Sequence, residues 1–225
     1  SCLLDALLRQ VSAKVNILAD GIGKQDVILE DVAAVATYRT GRPVYYRYTR
    51  AQEFNTCSSR KPMRVRVKIG AKKDGTFTAI QMDNEANTGP FGAHALTVPM
   101  NACSKNLPLF LCPNMYFTVK IYYSNIMPTG AYQGYGAPKG AFALQCTVAE
   151  LAEQLGIDQI ELLRKNMVHE GAFLEILRCL GEGREGTPAL VKSCGLDKAL
   201  TQGAEMIHWG TEETSDDPDV KIGKG

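Results

Sequence analysis

Strict alternation of apolar and charged side chains predicts the clearest strand of this chain. Between residues 63 and 69, methionine, valine or isoleucine occupies every odd position, and arginine or lysine every even one. A period of two places each set on one face of a strand, so we expect the apolar face to be buried and the basic face to be solvated. Asp74-Gly75 predicts a hairpin turn, and a returning strand is expected over residues 77–82.

Other apolar patterns predict several helices. Apolar residues at helical spacing indicate helices over 27–38, 158–167 and 196–209 and a long helix after residue 140. Shorter helices are expected over 2–11 and just after Thr49.

Further strands are expected over 14–18, 44–48 and 115–123, whereas residues 86–114 contain several glycines and prolines and are expected to be irregular. Together these elements predict an α+β fold with a mixed sheet, an antiparallel hairpin and several packed helices.

Length and composition indicate a globular domain without a strong charge bias. The 225 residues suit one large domain or two small ones, and we predict one domain over 1–210 with a polar linker over 211–225. The net charge of +1 gives no electrostatic reason to expect nucleic acid or an anionic membrane as a partner. No apolar run approaches the roughly 20 residues of a membrane helix. No export signal is visible, so a cytoplasmic protein is expected.

The cysteines and histidines do not predict a disulfide framework or a direct metal site. The seven cysteines are an odd number at irregular spacings, without a CxxC pair, so free thiols are expected. The three histidines are scattered, without the spacing of metal ligands. This pattern remains compatible with a metal that is carried by an organic cofactor.

A glycine-rich loop is the most informative motif. Residues 130–140 read GAYQGYGAPKG and contain four glycines and two tyrosines directly before an apolar run of helical spacing. Glycines allow close backbone approach to a ligand, and backbone N–H groups at a helix start favour anions and phosphates. A tight turn with tyrosines as packing residues is the alternative interpretation.

This loop is similar to the Ala-Phe-Arg-Gly-Phe-Gly-Ala-Pro-Gln signature of the molybdenum hydroxylases, the family of xanthine oxidase, xanthine dehydrogenase and aldehyde oxidoreductase. Segments 24–34, 40–44, 161–167 and 193–196 also resemble that family, in the same order. The chain therefore resembles the first half of the molybdopterin-binding region of the large subunit.

The resemblance implies molybdopterin with molybdenum as the cofactor, with a cytosine dinucleotide form left open. Iron–sulfur centres and FAD would lie on other modules or partner subunits. The complete enzyme would oxidise a purine, another N-heterocycle or an aldehyde, with water as the oxygen source.

The resemblance also implies two groups of site residues. Backbone groups of a first glycine turn and of the signature loop would bind the cofactor, namely Gly21, Ile22, Gly23, Ala131 and Gln133. Side chains that would contact the substrate are Gln25, Asn101 and Tyr135. For Gln25 the alternative is an ordinary residue at a helix start, and for Asn101 a capping asparagine of a loop.

No catalytic residue is expected within this chain. The family's general base is a glutamate near the end of the large subunit, which the resemblance places outside these residues, so the fragment alone is expected to be inactive. Asp20 and Ile22 depart from the glycine and the aromatic residue that the family carries in the first turn. A scaffold domain that contacts partner subunits without holding cofactor is therefore the alternative function.

Overall fold

A computed structural model describes residues 29–56, 58–180, 185–211 and 213–223. Within them the chain divides into two compact units. Of the described residues, the first unit combines 29–56, 58–66, 82–104 and 117–143, and the second combines 67–81, 105–116 and those from 144 onward. The predicted helix over 2–11 and the predicted strand over 14–18 lie outside the described residues.

The described part of the chain contains both helices and strands. The helices are α1 (Leu29–Thr40), α2 (Arg50–Thr56), α3 (Thr97–Ser104), α4 (Ala137–Leu155), α5 (Gln159–Asn166) and α6 (Leu196–Met206). The strands are β1 (Ser59–Arg60), β2 (Met63–Ala71), β3 (Phe77–Asn87), β4 (Met115–Tyr122), β5 (Thr129–Gly130), β6 (Phe173–Leu174) and β7 (Ala189–Leu190). Two short 3-10 helices span Leu107–Leu109 and Glu175–Leu180.

Strands β2, β3 and β4 form a three-stranded sheet in that order. The β2–β3 hairpin closes where the Lys72 N–H donates to the Thr76 carbonyl at 2.9 Å. Between β3 and β4, the Ile80 N–H donates to the Asn114 carbonyl and the Thr88 N–H donates to the Tyr122 carbonyl. These partners advance together along both strands, as in a parallel pair. The predicted mixed sheet with an antiparallel hairpin is therefore confirmed.

Two predictions of local structure were wrong. Residues 44–48 form no strand, although their composition is rich in β-formers. Residues 86–114 are not irregular throughout, because they contain α3 and a 3-10 helix. Pro99 lies in the first turn of α3, where the missing N–H costs no helical hydrogen bond. The alternation in β2 is confirmed, with half-buried and exposed residues in strict succession.

The long helix α4 follows the glycine-rich loop as predicted. Leu144, Val148 and Ala152 recur at intervals of four residues and are buried, whereas Phe142 is exposed. Within the described part of the chain, no helix is both long and apolar enough to cross a membrane.

In the second unit, Asn166 fastens the β2–β3 hairpin to α5. Its Oδ1 accepts from the Phe77 N–H at 2.8 Å, and its Nδ2 donates to the carbonyls of Gly75 and Leu162 at 2.9 and 2.8 Å. The side chain is 2% exposed, so these backbone groups have little access to water. Asp158 caps the start of α5 by accepting from the Ile160 and Glu161 N–H groups.

We expect Asn166→Ala to loosen the hairpin. Three bonds to buried backbone groups are lost, so the local free energy of opening should fall by about 1–3 kcal/mol. This corresponds to roughly 5- to 150-fold faster exchange of the Phe77 amide, measured by hydrogen exchange of the complete protein. Asn114→Ala is the matched control, because Asn114 donates one exposed bond to the Thr78 carbonyl. Equal acceleration in both variants would contradict this role of Asn166.

Candidate functional site

The signature loop follows a short pair of parallel strands, β1 and β5, in the first unit. Ser59 pairs with Thr129 and Arg60 with Gly130, and the Ser59 N–H donates to the Pro128 carbonyl at 3.1 Å. The loop begins immediately after Gly130 and ends at the first residue of α4. Its entry and exit are therefore both fixed by regular structure.

Close backbone packing seats the loop against α3. Gly136 is buried, and a Cβ at this position would lie 1.8 Å from the Val98 carbonyl oxygen and 3.0 Å from the Ala102 nitrogen. Any other residue would overlap the backbone of α3. Gly134 takes φ +70° before this contact, and the Ala137 N–H donates to its carbonyl at 3.2 Å. The glycines of the motif are thus required by the geometry of the turn and by the approach to α3.

The loop presents backbone donors of the kind that an anionic cofactor needs. Gln133 and Gly134 are exposed, and their N–H groups have no acceptor among the described residues. Ala131 is 1% exposed and packs inside the unit. Exposed backbone donors of this kind favour anions and phosphates.

Arg60 supports the loop from the neighbouring strand. Its Nη2 donates to the Gln133 carbonyl at 2.9 Å, and its guanidinium lies 4.6 Å from the centre of the Tyr132 ring. The Nη1 atom is buried and has no hydrogen-bond partner in the described structure. The aromatic face of Tyr132 therefore takes part of the role that a hydrogen-bond acceptor would have.

Lys61 joins three segments of the unit from the inside. Its side chain is 1% exposed, and its ammonium group donates to Thr88 Oγ1 at 2.9 Å, to the Ala93 carbonyl at 2.7 Å and to Thr129 Oγ1 at 3.2 Å. Burial lowers the pKa of Lys61 to about 8. The group is a buried cation held by neutral acceptors, which is a costly arrangement that must be fully hydrogen-bonded.

Lys139 completes a cluster of three cations, which we call the basic cluster: Arg60, Lys61 and Lys139. Lys139 lies in the first turn of α4 and donates from Nζ to the Lys61 carbonyl. Burial, together with the charges of Arg60 and Lys61, lowers the pKa of Lys139 to about 8. In the described ranges no member of the basic cluster forms an ion pair with a carboxylate. The signature loop therefore lies beside positive charge that no carboxylate of the described residues compensates.

The structure places Tyr135 at the junction of the loop and α3. Its hydroxyl lies 2.6 Å from His94 Nδ1 and 2.6 Å from Thr97 Oγ1, and its side chain is half-buried. Asn101 follows Thr97 by one helical turn and donates from Nδ2 to the Thr97 carbonyl at 2.8 Å. Tyr135 therefore contacts the first residue of α3, whereas Asn101, also predicted to contact substrate, lies in the middle of this helix and is 7% exposed.

Half of the predicted site residues lie outside the described residues: Gly21, Ile22, Gly23 and Gln25. Their roles stay predictions, as do those of Ala131, Gln133, Asn101 and Tyr135. The sequence reasoning missed Arg60, Lys61 and His94. Two adjacent basic residues before Pro62 and a lysine inside the loop were the available signals. No group of three or more potential metal-ligating side chains occurs in the described ranges.

The family follows from a direct sequence match. Residues 21–167 match the family described as the molybdopterin cofactor-binding domain. The chain belongs to this family, and its cofactor class is molybdopterin, as the glycine-rich loop indicated. It is a cofactor-binding domain of the molybdenum hydroxylase type.

Individual relatives agree with this assignment. The chain is 52% identical over 218 residues to a probable hypoxanthine oxidase, XdhD, of Escherichia coli K12, which covers 94% of this chain and 23% of that protein. It is 29% identical to the nicotinate dehydrogenase large molybdopterin subunit of Eubacterium barkeri, over 85% of this chain and 43% of that one. The solved aldehyde oxidoreductase of Desulfovibrio gigas superposes with a TM-score of 0.64 at 28% identity, over 81% of this chain and 19% of that one. The chain thus spans less than half the length of each of these relatives.

We expect Gly136→Ala to separate the loop from α3. The added methyl group overlaps the Val98 carbonyl, so the backbone must shift, at a cost of about 1–3 kcal/mol. Thermal unfolding and limited proteolysis within residues 131–136 would show this loss. Gly203→Ala is the control, because Gly203 lies in α6 with no atom within 4 Å of an added Cβ. That variant should be neutral or stabilised by up to about 1 kcal/mol, and similar destabilisation of both would contradict the packing argument.

We expect Lys61 to make stability depend on pH in the alkaline range. In the unfolded chain a lysine has a pKa of about 10.4, whereas Lys61 in the fold has a pKa of about 8. Between these values the unfolded chain holds more protons, so stability rises with pH; below about pH 8 the full cost of the buried charge is present. We expect the Lys61→Met variant to lose this rise of stability with pH, because methionine carries no titrating group.

The measurement compares melting temperatures of wild type and Lys61→Met between about pH 7 and pH 10. The stability of wild type relative to the variant should be constant below pH 8 and should increase above it. Lys192→Met, at an exposed lysine, should follow wild type at every pH. A wild-type advantage that shrinks above pH 8 would contradict the burial of a charged amine.

Proposed function

We propose that this chain is the first half of the molybdopterin-binding region of a hydroxylase large subunit that oxidises a purine or another N-heterocycle, with water as the oxygen source. The observation that carries the proposal is the signature loop, where two exposed backbone donors lie beside a half-buried tyrosine ring. The 52% identity to a probable hypoxanthine oxidase supports the choice of a purine.

In this proposal the chain holds the cofactor through backbone groups. The N–H groups of Gln133 and Gly134 donate to the cofactor, Ala131 shapes the inner wall of the loop, and Arg60 keeps the Gln133 carbonyl turned inward. Gly21, Ile22 and Gly23 supply a second set of backbone contacts. The positive charge of the basic cluster favours a negatively charged group at the loop, because opposite charges attract each other more strongly where water is partly excluded.

Substrate orientation falls to side chains at the start of α3 and in the loop. Tyr135 packs its ring against the heterocycle, and Asn101 and Gln25 offer amide groups to its polar edge. The bound cofactor supplies the oxygen transfer and accepts two electrons. The general base lies outside this chain, so this chain binds and orients without a catalytic residue of its own.

The proposal includes further parts of the protein. The chain spans 23% of its 52%-identical relative, and iron–sulfur centres and FAD on other domains or subunits would receive the electrons. We expect the isolated chain to be inactive and the complete protein to work in the cytoplasm.

The test is substrate turnover by the complete, molybdenum-loaded protein with a dye as electron acceptor. Hypoxanthine, nicotinate and benzaldehyde represent a purine, another N-heterocycle and an aldehyde. We expect the highest kcat/KM with hypoxanthine and no turnover by the isolated chain. Preference for benzaldehyde over both heterocycles would contradict the proposed substrate class, and purified complete protein without molybdenum or pterin would support the scaffold function instead.

Tyr135→Ala is expected to remove one stacking face from the pocket. Aromatic contacts of this type contribute about 0.5–1.5 kcal/mol beyond the area they bury, so loss of the ring face alone should lower kcat/KM for ring substrates roughly 2- to 12-fold. Loss of the hydroxyl contacts to His94 and Thr97 adds to this effect. The molybdenum content should stay at the wild-type level. Tyr116→Ala, at an exposed tyrosine of β4, is the control and should leave turnover unchanged. If Tyr135→Ala unfolds the domain while the surviving protein retains full kcat/KM, Tyr135 is a core residue and its assignment to the pocket is wrong.

A further inference from the structure

Two residues with unusual backbone conformations lie against each other at the signature loop. His94 has φ +48° and Tyr135 has φ +60°, although neither is a glycine. A non-glycine residue in the left-handed region costs on the order of 1–3 kcal/mol and persists only where its surroundings hold it. Such residues concentrate at ligand sites, so this pair is a candidate for function rather than for packing alone.

The two side chains are joined by a short hydrogen bond. His94 Nδ1 and the Tyr135 hydroxyl oxygen are 2.6 Å apart, and the rings meet edge to face with centres 5.7 Å apart. The same hydroxyl lies 2.6 Å from Thr97 Oγ1. A phenol has a single hydrogen to donate, so it can donate to one of these neighbours and accept from the other.

The strong acceptor in this group is the imidazole nitrogen. One hydrogen arrangement satisfies all three groups: the phenol O–H donates to His94 Nδ1 and the Thr97 hydroxyl donates to the phenol oxygen. When Nδ1 accepts, the ring proton of neutral histidine is on Nε2. In this arrangement the Tyr135 hydroxyl orients the His94 ring and leaves its hydrogen on Nε2, while Thr97 holds the hydroxyl.

The outer edge of His94 remains available. His94 is exposed, and its Nε2 has no hydrogen-bond partner within the described residues. An N–H donor held next to the ring of Tyr135, just before the start of α3, suits an acceptor atom on a flat ligand. A phenylalanine at position 135 would leave the aromatic face but would make neither hydrogen bond.

We propose that His94 is a specificity-determining residue, whose Nε2–H donates to a ring nitrogen or carbonyl oxygen of the bound N-heterocycle. Tyr135 and Thr97 act as positioning residues that hold the imidazole in this tautomer. The inference rests on the proposed function, because it assigns a role in the pocket at the signature loop. A site built to hydrogen-bond a ligand discriminates against analogues that lack the acceptor, so a simple aromatic aldehyde gains nothing from His94.

The experiment compares hypoxanthine with benzaldehyde in the complete, molybdenum-loaded protein. His94→Phe and Tyr135→Phe should each lower kcat/KM for hypoxanthine by about 5- to 30-fold, the effect of losing one hydrogen bond of about 1–2 kcal/mol. For benzaldehyde, kcat/KM should change by less than about twofold. The double variant should be no worse than His94→Phe, because both substitutions remove the same interaction.

A binding measurement separates recognition from turnover. Protein that has been reduced in the absence of oxygen cannot oxidise its substrate, so calorimetry with hypoxanthine then reports the Kd alone. His94→Phe should raise this Kd by about 5- to 30-fold, and His94→Gln, which restores an N–H donor, should recover part of the loss. His169→Phe is the control, since His169 is exposed and bonds only the Glu170 carbonyl in the described structure.

The possible results have distinct meanings. If wild type oxidises hypoxanthine and His94→Phe retains its kcat/KM and Kd, the inference is overturned while the proposed function stands. Equal losses with both substrates, together with a lower Tm, would also overturn it, because His94 would then only support the fold. A fully loaded wild type that neither binds nor oxidises hypoxanthine would overturn the proposed function and the inference with it.

Discussion

The arrangement of the first unit depends on one contact between two stretches of backbone. Gly136 approaches the Val98 carbonyl so closely that there is no room for a Cβ, and this approach seats the loop on α3. Because Tyr135 precedes Gly136 directly, the same contact brings its hydroxyl within reach of Thr97 and His94. A methyl group added at Gly136 would displace the backbone of the loop and, with it, the side chains that the loop carries.

Lys61 holds the segments next to the loop together through buried hydrogen bonds. One ammonium group holds the strand that leads into the loop, the end of β3 and the turn before α3, through Thr129, Thr88 and Ala93. An apolar residue could fill the same space but would leave three acceptors unpaired in a buried region, which is costly. The segments next to the loop are thus joined by buried polar groups that all have hydrogen-bond partners.

Local patterns predicted those elements whose signal lies in neighbouring residues. The period of two predicted β2, and Asp74-Gly75 predicted the hairpin. The glycine-rich motif predicted the loop, and its resemblance to the molybdenum hydroxylase signature predicted the cofactor class. Helix α3 lies in a stretch whose glycines and prolines predict irregular structure, but Pro99 falls in the first turn, where it interrupts no helical hydrogen bond. Residues 44–48 have the composition of a strand, but a strand also needs a partner, which composition cannot provide. The basic cluster and the contacts of His94 join residues far apart in sequence, so no local pattern could indicate them.

The basic cluster creates a positive electrostatic potential for any group that binds against the loop. Arg60, Lys61 and Lys139 place positive charge beside the loop, and no carboxylate pairs with them in the described ranges. Of two redox states of a neighbouring group, a positive field stabilises the one that carries more electrons. A redox group bound at the loop would therefore be easier to reduce, and this influence would weaken as the lysines lose their protons above about pH 8.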